Sequence, residues 1–189
     1  MSAPEGWLAR TRVRARQREA SVAKNEDEVF AQLAFGKRQQ LDEGRSYMVK
    51  ERKPGKAWQR FTDALDGGCE GLYITRQHPN HVEKRHGPKT LRIVWLSTTL
   101  GRDYVDPHNL GALTNLINGF TEAPRRTIIL LDGLEYLMIN NDYARLLKFI
   151  EYLHEIVMQR RCILLLSVDD RAFDPREMAF LERNAIVLD

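Results

Sequence analysis

The sequence predicts an α/β fold, a three-layer sandwich around a mainly parallel central sheet, preceded by an N-terminal helical arm. Three observations predict it. The run Thr127–Asp132 is apolar without alternation up to its closing aspartate, so both faces of this strand should be buried, as in a central parallel strand. Cys162–Val168 reads the same way. Between residues 45 and 189, about six such strands alternate with helical stripes, and parallel strands need crossover helices that cover both faces of their sheet.

Residues 1–44 carry no strand pattern and read as a helical or partly disordered arm, with residues 45–189 as the α/β domain. In the arm, Asn25 is a candidate N-cap, followed by Glu26, Asp27 and Glu28 where a helix dipole favours acids. Val29, Phe30, Leu33 and Ala34 then share one apolar face. Ser46–Lys50 is the first strand. Pro54 is expected to open a helix whose inward stripe is Trp58, Phe61 and Leu65, with Gly67 and Gly68 stopping it. Gly71–Thr75 is the second strand and Leu91–Ser97 the third, joined by a histidine-rich connection or short helix. Thr98–Pro107 reads as a polar loop. Leu110, Leu113, Leu116, Ile117 and Phe120 recur by threes and fours and predict a helix. After the central strand comes a turn at Asn140–Asp142 and the longest helix, Tyr143–Gln159. Its buried face should be Leu146, Phe149, Ile150, Leu153, Ile156 and Val157. Asp174 and Pro175 start a last helix, and Ala185–Asp189 is a terminal strand.

Composition narrows the classes. The chain has 189 residues, 43% hydrophobic and 29% charged, which suits a globular domain with a sizeable core plus an appendage. No run approaches the ~18–20 apolar residues of a membrane span. The first residues lack the apolar core of a secretory signal, so a cytoplasmic protein is expected, with no membrane partner. The two cysteines, Cys69 and Cys162, stand far apart, which argues against a disulfide scaffold or a zinc finger. Net charge is +3, too small alone to imply nucleic acid. Its distribution is more informative, because Arg10, Arg12, Arg14, Arg16 and Arg18 fall together with no acid between them. Such an arm could neutralise phosphates, giving a nucleic-acid reading; a solvated tail is the blander and favoured one.

The candidate chemistry gathers at the carboxyl ends of the strands, where open α/β sheets place their ligand crevice. Four apolar residues followed by Asp132 match the element that helps hold Mg²⁺ in nucleotide hydrolases. A phosphate loop should then follow the first strand as G-x-x-x-x-G-K-[ST]. Here that turn reads Lys50-Glu51-Arg52-Lys53-Pro54-Gly55-Lys56-Ala57. Gly55 and Lys56 stand in place, but Lys50 replaces the first glycine, Pro54 removes an amide and Ala57 cannot ligate a metal. The turn is either a degenerate phosphate loop or an ordinary basic βα turn, and both deny standard hydrolysis. Asp132 is accordingly expected to accept hydrogen bonds at the strand end or from the following helix, with Glu135 near enough to share its pocket. His78 and His81 have helical i, i+3 spacing but no companion ligands, so surface histidines are favoured over a metal site. Ser97, Thr98 and Thr99 lie at the rim without an identifiable base, and no nucleophile motif occurs. No catalytic residue, cofactor or metal is assigned.

Several segments carry a resemblance: Gly44–Val49, then GLYITRQHP at Gly71–Pro79, IVWLS at Ile93–Ser97, and above all LLDGLEYLMINNDYARLLKFIEYLHE at Leu130–Glu155. Residues from about 44 to 189 resemble the archaeal domain-of-unknown-function family 835. The layout also resembles RecA- and KaiC-type ATPase cores, a RecA/Rossmann-like arrangement, with the phosphate loop degenerate. The family implies no established activity, and its members often end archaeal sensory proteins. The resulting expectation is a non-catalytic regulatory or signalling domain that binds another protein. The surface expected to do so is Thr75, Arg76, Ser97, Thr98, Asp132, Glu135 and Asp169. Self-association as a homodimer is expected from such cores, with Val29, Phe30 and Leu33 as the contact. The alternatives are a nucleic-acid-associated protein using Arg10–Arg18 and an atypical nucleotide-binding protein using Lys56 and Asp132.

Overall fold

The computed structural model describes residues 40–83, 91–99, 101 and 103–189. Seven strands form one sheet: β1 (Arg45–Lys50), β2 (Glu70–Thr75), β3 (Leu91–Leu96), β4 (Tyr104–Val105), β5 (Thr127–Asp132), β6 (Ile163–Val168) and β7 (Ile186–Leu188). Every pairing is parallel, in the order β4-β3-β2-β5-β6-β1-β7. The helices between them are α1 (Lys56–Asp66), α2 (Pro79–Glu83), α3 (Leu110–Thr121), α4 (Leu134–Asn140), α5 (Tyr143–Arg160) and α6 (Pro175–Glu182). None is long and apolar enough to cross a membrane, among the described residues.

The period of two along a strand divides the core into two layers. On β5, Ile129 and Leu131 join a cluster built with α3, α4, α5 and α6, whereas Ile128 and Leu130 join a cluster built with α1 and Val82 of α2. All six residues of β5 and of β6 are buried, which is why these strands read as continuous apolar runs. On α5 the six residues expected to face inward are the six that are buried. Asp142 caps its start, accepting a hydrogen bond from the Arg145 amide at 2.8 Å. Asp174 and Glu177 close a reciprocal capping box at the start of α6.

Helix α1 lies tight on the sheet. A Cβ at Gly71 would stand 2.6 Å from Leu65 Cδ2 and from Phe61 Cζ, so glycine lets α1 approach β2. Phe61 is wholly buried there, and burial of such a side chain stabilises by about 1.5–3 kcal/mol.

Two expectations need correction. The polar loop 98–107 contains β4, so the sheet has seven strands rather than about six; two residues cannot display a period. Pro54 does not open α1: the helix starts at Lys56 with Gly55 at its N-cap, for a reason visible in the turn itself. The arm, including Arg10–Arg18, Asn25 and the Val29, Phe30 and Leu33 face, lies outside the described residues, as do residues 84–90 of the histidine-rich connection.

Candidate functional site at the carboxyl ends of the strands

Because β1, β6, β5 and β2 are neighbours, the side chains at their carboxyl ends form a row on the face covered by α1. Alternation places Asp132 on the same side as Ile128 and Leu130, and places Ser167, its partner in register, beside it on β6. Glu51 follows β1 at one end of the row. Tyr73 and Thr75 on β2 stand at the other.

Asp132 is 8% exposed. Its Oδ2 receives hydrogen bonds from the Thr75 hydroxyl at 2.9 Å and the Tyr73 hydroxyl at 3.1 Å. Burial pushes the Asp132 carboxyl above its usual range, against the opposing pull of those hydrogen bonds and of Arg76. Burial and the Asp132 charge together raise the Tyr73 phenol. Of the two sources expected for its donors, the strand end and the following helix, Tyr73 and Thr75 belong to the first, at the end of the adjacent strand. Gly133 turns the chain away with φ +111, a left-handed conformation that glycine adopts without strain.

At the phosphate-loop position the same row shows a different arrangement. The Glu51 carboxylate folds back beneath its own turn. Its Oε2 accepts from the amides of Gly55 (3.1 Å) and Lys56 (2.8 Å). Its Oε1 accepts from the amide of Ala57 (3.1 Å) and the hydroxyl of Ser167 (3.0 Å). These amides belong to the first turn of α1, whose positive dipole end favours an anion. Their engagement with Glu51 explains why the helix begins two residues beyond Pro54.

Along the outer rim the groups are more accessible. Arg76 is exposed, with its guanidinium carbon 5.9 Å from the Tyr136 ring centroid. Trp95 donates Nε1–H to the Arg76 carbonyl at 2.9 Å and meets Tyr104 edge-on, centroids 4.9 Å apart. Thr98 is exposed, and the Ser97 hydroxyl pairs with that of Thr99 at 2.9 Å. Glu135 is half-buried, and its Oε2 has no hydrogen-bond partner among the described residues. Burial raises its carboxyl first, and the charges of Asp132 and Asp169 add to that. Asp169 is held low by its hydrogen-bonded pairing with Arg171.

The expected surface residues thus divide. Thr75, Ser97 and Asp132 are buried, while Arg76, Thr98, Glu135 and Asp169 are reachable from outside. Ile139 on α4 joins the reachable set, 80% exposed. Helix α4 follows Asp132 and Gly133, packs Leu134 and Leu137 into the layer of α3, α5 and α6, and is joined to the segment before α3 where Asn141 donates to the Pro107 carbonyl at 2.9 Å. His78 and His81 have ring centroids 6.1 Å apart, and among the described residues no group of three or more His, Cys, Asp or Glu could hold a metal.

Glu51, Ser167, Tyr73 and Ile139 were not singled out by the sequence. Glu51 had a signal: a carboxylate a few residues before a Gly-Lys helix start can reach back to its amides. Ser167 and Tyr73 had none, since their roles depend on which strands become neighbours.

The architecture is similar to that of the KaiC-like protein PH0186 from the hyperthermophilic archaeon Pyrococcus horikoshii OT3. The TM-score is 0.58 at 14% identity, covering 79% of this chain and 75% of that one. The fold is accordingly the RecA-like one of KaiC-like proteins. No curated protein matches the sequence. Residues 50–184 match the family model described as "Protein of unknown function (DUF835)", and the chain belongs to that family.

Proposed function

We propose that this domain is a non-catalytic, RecA-like interaction module of a regulatory or signalling system, archaeal in setting, that engages another protein at the carboxyl rim of its sheet. The observation that carries this reading is the burial and hydrogen bonding of Asp132. The carboxylate that would hold Mg²⁺ in a hydrolase of this layout is buried and given to the hydroxyls of Tyr73 and Thr75. What the rim offers to an incoming molecule is instead the exposed Arg76 and Thr98 with the half-buried Glu135, and α4, which leads away from Asp132, adds the exposed apolar side chain of Ile139. An apolar side chain among charged and polar groups suits a protein partner better than a nucleotide phosphate.

The test has two arms. Calorimetry of the full chain with Mg-ATP should give no binding heat, and no nucleotide hydrolysis should be detected. Affinity capture from the source cells, followed by titration of the purified partner, should show that Arg76→Ala with Ile139→Asp weakens binding at least tenfold. Nucleotide turnover that falls with Asp132→Asn would overturn the reading, as would a partner whose affinity ignores both rim changes.

A further inference from the structure

We propose that the Glu51 carboxylate is a resident anion that locks the phosphate-loop position of this chain and closes it to free phosphate. This lock at the α1 turn is independent of which partner meets the rim.

The geometry is that of an anion held by a helix start, except that the anion is covalently part of the chain. Both oxygens are used: Oε2 by the amides of Gly55 and Lys56, Oε1 by the amide of Ala57 and by Ser167 from β6. Three successive amides converging on one acceptor group is what a phosphate would require of the same turn. A free phosphate would have to displace a carboxylate that is tethered four to six residues from its donors. Such an intramolecular ligand competes at a high effective concentration. Charge adds to the exclusion, because an anion entering beside Glu51 would meet its charge at short range. The lock reaches across the sheet as well. Ser167 is buried and in register with Asp132, so Glu51 secures the α1 turn to the middle of the sheet. Lys56, the remaining hallmark of the loop, gives its backbone amide to this carboxylate. Withdrawal of Glu51 is therefore the event that would reopen the cradle.

The experiment follows the amide resonances of Gly55, Lys56 and Ala57 in the full chain during titration with inorganic phosphate and with pyrophosphate. In the wild type they should not move. In Glu51→Ala they should shift together and saturably, with an apparent affinity at least tenfold stronger than the wild type. Equal responses in both proteins, including no response in either, would overturn the lock. A second measurement needs no variant. Hydrogen exchange in the wild type should be slowed at least tenfold at Lys56 and Ala57 relative to Arg52 and Lys53. Exchange there as fast as in the neighbouring turn residues would sink the proposal even if the variant failed to fold.

Discussion

Glu51 and Asp132 end neighbouring parts of one sheet face, yet their acceptors are satisfied from different distances along the chain. Glu51 takes three backbone amides only four to six residues away and a single hydroxyl from β6. Asp132 takes two hydroxyls from residues 57 and 59 positions away, on a strand that must already be in place, with the Gln77 side chain from just beyond that strand adding to them. The first carboxylate therefore organises a turn, and the second records that the sheet has assembled. A carboxylate at a strand end is not one kind of group: its consequence depends on whether its donors are local or distant, and on whether they are main chain or side chain.

The largest expected effect comes from breaking the distant set. Asp132→Ala leaves the hydroxyls of Tyr73 and Thr75 buried without their acceptor, a loss of about 2–4 kcal/mol in urea unfolding. Asp132→Asn keeps an acceptor and should lose less than half of that. A cost for Asp132→Ala no greater than for Glu51→Ala would show that local and distant donors weigh equally on the fold.

Next comes the turn that carries Asp132 into α4. At Gly133, φ +111 makes any Cβ strained, and Gly133→Ala should cost about 1–3 kcal/mol in the same measurement. An unchanged midpoint would show that the backbone relaxes there. Glu51→Ala, by comparison, removes a helix-start acceptor and should cost about 0.5–2 kcal/mol. Its signature is locality: faster exchange should stay within residues 51–57, and spread into β5 would contradict a turn-level role.

The smallest effect sharpens the comparison by charge alone. Burial raises the Glu135 carboxyl in the folded chain, so the folded state holds that proton more tightly than the unfolded one. Stability linked to this group is complete below the unfolded value, about 4.3, and is lost as pH rises through the raised folded value. Glu135→Gln should therefore raise Tm slightly at pH 7, and the gain should vanish toward pH 4. A gain that persisted in acid would assign the effect to packing instead of charge.

Much of this fold was legible in the sequence because burial on both faces writes itself as unbroken apolar runs. β5, β6 and the six inward positions of α5 are of that kind. The start of α6 was legible too, since Asp174 and Pro175 act through their immediate neighbours. What escaped was of two sorts. β4 is a two-residue edge, too short to carry a pattern. The partners of Asp132 and Glu51 on β2 and β6 depend on strand order, which no local spacing encodes. Thr75, Arg76 and Asp132 stand at or just past strand ends, but alternation buries Thr75 and Asp132 while Arg76 is exposed, and only side-chain direction separates them.

The strand order also has a consequence in time. β1 lies between β6 and β7, and its register with β6 joins Arg45 to Ile163, over a hundred residues later in the chain. A ribosome making this domain from its amino end releases β1 long before either neighbour exists. Through most of synthesis the apolar residues Tyr47, Met48 and Val49 therefore have no native strand beside them. Closure of so long a loop is slow compared with local helix formation. The interval before β6 emerges thus leaves an apolar strand with an unpaired edge, the kind of exposure that makes a nascent chain prone to aggregation.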